Sequence, residues 1–397
     1  LANSFITIAG KLFGLMNILI APDSFKDCLS APEVAQNIET GIRRIMPEAH
    51  ITILPMADGG EGTVEALVGA TGGEIITVEV HDPLMRRIKS FFGILGDKKT
   101  AVIEMAAASG IELLKENERN PWITSTYGTG ELISHALDIG CERLVIGVGG
   151  SATNDAGTGM AQALGVRFLD VQGKETGHGG GALNKISEID VRELDKRINK
   201  CEILVACDVD NPFCGPRGAA AIYSPQKGAD TAMVKKLDDN MRHFADKISG
   251  ILNIDIQNIK GAGAAGGLAA GLMVFLKATL KPGFDIIKDI VNLEKEVSKA
   301  DIVITGEGRI DYQTQFGKTP SGVARIAAKY NKPVIAITGS LGEKADELYE
   351  MGFDSIFPIT DNPADIEYAL KKADILIQNT AERIFRLIRL FIKKNQF

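Results

Sequence analysis

The chain has 397 residues, 45% hydrophobic and 24% charged, an ordinary globular composition too long for one small core and suited to two domains or three. A net charge of −7 offers no basic field to a nucleic-acid backbone, so any anionic ligand has to be met by local donors. No apolar run is long enough to span a bilayer. The five cysteines, Cys28, Cys141, Cys201, Cys207 and Cys214, form no CxxC pair and no Cys/His ligand spacing. Neither zinc nor a disulfide framework is therefore expected, and free thiols in a reducing compartment are. The histidines are equally dispersed, and His178, in a glycine-rich loop, is the one placed to meet a substrate.

Residues 1–15 carry an apolar stretch without a basic leader or a small-residue cleavage site. They read as a start-site or cloning extension rather than a signal peptide. Asn17–Ala21 is a short apolar strand, and Ser30 with Glu33 three residues on has capping-box spacing for a helix reaching Met46. His50–Met56 reads as a second strand. Glu74–Val80, Arg87–Gly93 and Ala101–Ala106 are successive strands with no helix between them, which predicts antiparallel or mixed sheet. Strand–helix alternation resumes at Arg143–Val148 and Ile203–Cys207. It returns with Asp301–Thr305, a helix over Ser321–Tyr330, and strands at Pro333–Thr338 and Ser355–Ile359. The basic, amphipathic FRLIRLFIKK reads as a terminal packing helix rather than a membrane anchor.

The fold class expected is α/β: a Rossmann-like parallel-sheet domain formed by both chain ends, 16–72 and 282–397, with an inserted mixed-sheet α/β domain over 73–281. Such an architecture leaves a cleft, a usual place for small-molecule sites.

Five polar or glycine-rich segments follow apolar strands, where parallel sheets bind ligands. Asp23, Ser24 and Lys26 leave the first strand together. Asp58, Gly59, Gly60 and Glu61 put two carboxylates in a loop whose glycines admit a ligand to the backbone. Gly147–Gly159 is a glycine-rich turn feeding a helix, an anion cradle of backbone N–H groups with Ser151 and Thr153 hydroxyls; it lacks the GK[ST] ending of a Walker A loop. Asp208 and Asn211 follow the strand ILVA. Glu307, Arg309, Asp311 and Lys318 follow the strand IVIT. Capped turns, solvated charges and close helix packing account for each segment singly. Together they supply anion cradles, carboxylates and cations without a nucleophilic triad, an inventory suited to phosphoryl transfer.

Taken in order, APDSFKDCLSA, ADGGEGT, GGSATNDAGTG, CDVDNP with SPQKGA, GAAGGL, and VITGEGRIDYQT with GK resemble the bacterial type-1 glycerate kinase family, from Met16 to roughly Ile359. The resemblance implies ATP and D-glycerate as substrates, ADP and phosphoglycerate (2-phosphoglycerate usually) as products, Mg²⁺, a cytoplasmic location, and a two-domain fold with a Rossmann-like part. Ala156 stands where the family commonly has glycine, and Phe213-Cys214 replace a leucine-containing stretch; neither change removes a charge or hydroxyl.

The expected catalytic set is Lys26, Asp58, Arg309 and Asp311, with Asp58 or Asp311 accepting the proton of the attacking hydroxyl. Asp23, Ser24, Gly59, Gly60, Glu61, Gly149, Gly150, Ser151, Thr153, Asn154, Asn211 and Lys318 are expected to hold substrate or phosphate, and Asp208 and Glu307 the Mg²⁺. No nucleic-acid or membrane partner is expected, and monomer and homodimer both stay open. A kinase for another small hydroxy acid or polyol, a non-catalytic sensor of an organic acid or nucleotide, and a Rossmann-type dehydrogenase remain as alternatives; the last lacks a dinucleotide fingerprint with a downstream ribose-binding acid.

Overall fold

The computed structural model describes residues 16–315, 318–360 and 366–394; the extension read over 1–15 and Gly317 of the GK motif lie outside them. In chain order the strands are β1 (Asn17–Ile20), β2 (His50–Ile53), β3 (Glu74–His81), β4 (Arg87–Ile94), β5 (Thr100–Glu104), β6 (Arg143–Gly147) and β7 (Arg167–Leu169). They continue with β8 (Glu188–Asp190), β9 (Glu202–Ala206), β10 (Thr279–Lys281), β11 (Ile302–Ile310), β12 (Val334–Leu341) and β13 (Ser355–Pro358). The chain divides into two compact units: one takes the residues up to Asp58, Glu65–Ala70 and Ile287 onward, the other Gly59–Val64 and Thr71–Ile286.

The first unit holds a parallel sheet ordered β13-β12-β11-β1-β2. Its strands are short runs of Ile, Leu and Val, the β-branched and apolar content of a sheet covered on both faces. Helix Ala31–Arg43 begins as its sequence dictates, with the Glu33 carboxylate accepting the Ser30 N–H at 2.8 Å and Pro32 in the first turn. Val34, Ala35, Ile38 and Ile42 recur at helical spacing and bury one stripe. Against it lies the C-terminal helix Ala373–Lys394, through Leu376, Ile377, Ala381 and Phe385. Gly41 sits where a Cβ would come within 2.2 Å of the Gln378 carbonyl oxygen, so the two backbones approach closely.

The strand expected to stop at Thr305 runs five residues further, through Gly306–Ile310, paired with β12 as far as Ile310↔Leu341. The glycines there read as a loop in sequence, yet they serve close strand contact. A Cβ on Gly306 would stand 1.9 Å from the Ile337 carbonyl oxygen.

The second unit contains a mixed sheet ordered β10-β9-β6-β5-β4-β3. The β3, β4 and β5 pairings are antiparallel, and β5, β6, β9 and β10 run parallel. Every residue of β5 is buried, as a central strand requires. Helices Tyr127–Ile139, Thr231–Leu252 and Leu268–Leu276 bring Leu132, Met241, Phe244, Leu268 and Phe275 into the same core as Ile103, Ile146 and Val205. The parallel strands all present their carboxyl ends to one edge, and the loops that matter below leave from it.

Gly306→Ala should cost about 3 kcal/mol or more in urea unfolding, because the clash is with main chain that has nowhere to move. A loss below about 0.5 kcal/mol would show that β11 and β12 separate freely.

Candidate active site

In the first unit the chain leaves β1 toward β2 on one side, while β11 leads to β12 and β13 on the other. The sheet order therefore reverses between β1 and β11, and ligands in open parallel sheets bind outside the carboxyl ends of the strands at such a reversal. The segment after β1 is fastened to β11 there. Ala21 N–H donates to the Ile304 carbonyl at 2.7 Å, Asp23 N–H to the Gly306 carbonyl at 2.8 Å, and the Thr305 hydroxyl to the Ala21 carbonyl at 2.8 Å. This fastening sets Asp23 within the fields of Asp58 and Glu307.

Burial, then repulsion from Asp58 and more weakly from Glu307, pushes the Asp23 carboxyl up to about 7 against the pull of Thr319 and the Ser24 N–H. Ser24 N–H reaches Oδ1 of Asp23 at 2.7 Å. Glu307 accepts the Thr314 hydroxyl at 2.7 Å on Oε1 and the Lys318 ammonium at 3.4 Å on Oε2. Burial, with Asp311 adding to it, nevertheless holds its pKa above the ordinary value. Lys318 occupies the N-cap of helix Thr319–Lys329. A cation there opposes the helix dipole, at a cost of about 0.3–1 kcal/mol that an anionic partner offsets. Arg309 is largely exposed, its Nε 3.2 Å from Oδ2 of Asp311. Lys26 is exposed. Glu307 and Arg309 were expected in a loop; they are strand residues, held by the β12 pairing.

In the second unit the loop of Gly59 and Gly60 lies on the ends of β6 and β9. Gly59 has φ +92°, and a Cβ on it would stand 2.4 Å from the Ala206 Cβ; one on Gly147 would stand 2.3 Å from the Gly59 carbonyl oxygen. A Cβ on Gly149 would stand 3.3 Å from the Gly60 Cα, tighter than ordinary contact. The loop after β6 is then tied down, Gly150 accepting the Ile111 N–H at 2.8 Å and Ala152 N–H donating to Ser109 at 2.9 Å. Asn154 is buried, its amide occupied by the Ser224 hydroxyl at 3.0 Å and the Met241 sulfur at 3.2 Å. The buried Thr153 hydroxyl has no hydrogen-bond partner among the described residues. Glu61 and Asp208 are exposed, and Asp208 Oδ1 accepts the Gly283 N–H at 3.0 Å. Asn211 braces its own turn, accepting the Tyr223 hydroxyl at 2.5 Å and donating to the Arg217 carbonyl at 2.8 Å.

Three residues beneath these loops were not singled out in the sequence. Asp155 is fully buried and accepts Thr126 N–H at 2.8 Å, the Thr126 hydroxyl at 2.9 Å, Gly157 N–H at 3.1 Å and Gly159 N–H at 3.3 Å. Burial holds its pKa above the ordinary value against the pull of these four donors. Glu104, at the end of β5, accepts the Val64 N–H at 2.8 Å and so anchors the helix that follows the Gly59 loop. Lys227 is 1% exposed and donates to the Ser151 Oγ and the Thr153 carbonyl, each at 2.6 Å. Burial drives its pKa down to about 7, with Asp155 opposing. Its sequence signal was the SPQKGA segment itself, in which a lysine between glutamine and glycine looks like any solvated turn residue.

Ala156 adopts φ 57°, the left-handed region glycine enters at no cost, which explains why glycine suits the position. His178 lies elsewhere in this unit, on a cavity of about 460 Å³ with His81, Tyr127 and Gln162.

The Glycerate kinase family model matches residues 18–389. The chain is 52% identical to the glycerate kinase of Bacillus subtilis, over 94% of this chain and 98% of that one. It is 50% identical to the glycerate 2-kinase of Escherichia coli, over 90% and 94%. A crystal structure from Salmonella typhimurium LT2, assigned provisionally to glycerate kinase 2, superposes with a TM-score of 0.87 at 49% identity, covering 95% of this chain and 99% of that one.

The Asp23 carboxyl gives up its proton near 3.8 when unfolded and about 7 when folded, so the folded state binds more protons between these values. Stability contributed by that proton is complete below pH about 4 and lost as pH rises through about 7. Asp23→Asn should therefore raise stability by roughly 4 kcal/mol at pH 8 and by little at pH 4, read from denaturant midpoints at both. Equal shifts at the two pH values would contradict the buried repulsion.

Proposed function

The chain belongs to the glycerate kinase family, phosphotransferases with an alcohol group as acceptor, and on that premise we propose that it transfers the terminal phosphoryl group of ATP to the 2-hydroxyl of D-glycerate, releasing ADP. The observation that carries the site assignment is the cluster at the β1–β11 reversal. There Asp58 and, more weakly, Glu307 repel Asp23, and Lys318 donates to Glu307. A fold does not gather like charges at a strand end for stability, whereas phosphoryl transfer needs carboxylates and cations held ready around it.

In this reading Lys318, Lys26 and Arg309 meet phosphate or carboxylate oxygens. The amides and hydroxyls of Gly149–Gly159 and Gly59–Thr63 hold anionic groups. For the base we favour Asp23 beside the expected Asp58 and Asp311: Asp311 is engaged by Arg309, while Asp23, poised about 7, has the proton affinity suited to taking a hydroxyl proton at neutral pH. Asp58 acts by keeping it there.

Mg²⁺ fits these residues. Glu307 is an acid whose burial raises its pKa, a state that a nearby cation relieves; Asp208 is the alternative ligand. Among the described residues no three His, Cys, Asp or Glu side chains gather in ligand geometry. Mg²⁺ takes only one or two carboxylates from a protein and completes its shell with water and phosphate oxygens. When bound it would neutralise charge on the phosphoryl oxygens. In the same reading the reaction runs in the cytoplasm, where ATP is the ready phosphoryl donor.

Incubation with ATP, Mg²⁺ and D-glycerate, followed by phosphorus NMR, should show 2-phosphoglycerate and ADP, with turnover abolished by EDTA. Glu307→Gln and Asp23→Asn should each lower kcat on the order of 100-fold, whereas Asp311→Asn should lower it less than about 10-fold. Wild-type turnover in all of these, and in Asp58→Asn and Asp208→Asn, would defeat the site; no acceptor-dependent ADP would defeat the activity.

A further inference from the structure

Lysine is among the side chains least often found fully buried, because its charge loses water that few interiors replace. Lys227 is nonetheless 1% exposed, on the turn Pro225–Lys227, and its two recorded hydrogen bonds both go to the glycine-rich loop. Asp155 is the ionisable group whose charge bears on it. Ser224, on the same turn, is neutral, and Arg119 meets the adjoining Gly228 through its main-chain carbonyl.

The bond to Ser151 has a directional consequence. A hydroxyl carries one hydrogen and two lone pairs, and an ammonium carries hydrogens but no lone pair. When Lys227 is protonated it can only donate to Ser151 Oγ, so the serine's own hydrogen has to find another acceptor. When Lys227 has lost its proton, the nitrogen lone pair accepts that hydrogen and the hydroxyl turns inward. Among the hydroxyl residues of the loop, Ser151 is the least buried, 8% exposed against 3% for Thr158 and 0% for Thr153.

We propose that Lys227 is the positioning residue of this loop: as an ammonium it turns the Ser151 hydroxyl outward as a donor to a carboxylate or phosphate oxygen, and on losing its proton it withdraws that donor. The idea rests on the reading above, in which the loop receives an anionic group of a substrate. Burial brings the proton of Lys227 into the neutral range, and a bound anion would favour keeping it, so anion binding is coupled to proton uptake. A cradle of backbone amides alone would show no such coupling.

The test is steady-state kinetics of the whole chain from pH 6 to 9, with calorimetry of D-glycerate and of ATP binding in two buffers of different ionisation heat. KM for the ligand held at the loop should rise about 10-fold across this range in the wild type, the worth of one hydrogen bond to a charged group. Lys227→Met and Ser151→Ala should start about 10-fold weaker at pH 6 and lose the slope. Ser151→Ala keeps the test open should Lys227→Met fail to fold. The carboxylate of glycerate does not titrate here, so a slope in its KM assigns the carboxylate; a slope in KM for ATP above pH 7, beyond the phosphate's own titration near about 6, assigns the phosphate. Binding at pH 8 should take up a fraction of a proton in the wild type and none in Lys227→Met. Parallel pH profiles in all three proteins, or no proton uptake with either ligand, would overturn the proposal. Proton uptake on binding without turnover would support it and overturn the kinase reading instead.

Discussion

The pairing of β1 with β11 is the contact on which the first unit depends. It joins residues 284 apart in sequence, through Asn17 N–H on Asp301 at 2.9 Å and the Thr305 hydroxyl on Ala21 at 2.8 Å. Closing so long a loop costs conformational entropy that no local contact returns, so the strands have to recover it through continuous ladder and core. Once they pair, the reversal of strand order between them follows from topology. Asp23, just past β1, and Glu307, in the part of β11 beyond its pairing with β1, then come to the same edge of the sheet.

Both units hold ionisable groups in states that folding alone would avoid, and they do so with opposite sign. In the first, carboxylates are kept close enough that Asp23 holds a proton to about pH 7. In the second, a lysine is stripped of water beneath a loop, with Asp155 as its nearby charge. Each arrangement lowers stability and is retained where a ligand of opposite charge would relieve it, the usual trade between stability and function. The rest of the loop architecture serves to fix these groups: Glu104 on Val64 N–H, Asp155 on four donors, and glycines that let backbone pass over backbone.

Some of the site could be read from residue order and some could not. The capping box at Ser30 and Glu33 and the antiparallel run from Glu74 to Glu104 were legible, because period, cap and turn chemistry are local. Of FRLIRLFIKK, read as a packing helix, Phe385 is buried while Leu387, Leu390 and Phe391 are exposed, and the buried stripe lies upstream. The end of β11 was misjudged because glycine signals a turn in isolation; whether Gly306 bends or packs is decided by the Ile337 carbonyl lying against it. Asn154, expected as a ligand contact, also braces the interior through Ser224 and Met241, partners 70 and 87 residues away that no local pattern reveals.

Sequence by itself determined the α/β class, the family resemblance and which polar, glycine-rich loops follow the strands, since these rest on residue types and on spacings within a few residues. Tertiary structure decided which of those residues come together and how burial and neighbours bias their protonation. A pKa is set by burial and by neighbours brought in from far along the chain. Asp23 and Lys227 therefore read as ordinary acid and ordinary lysine until the fold places Asp58 beside one and removes water from the other.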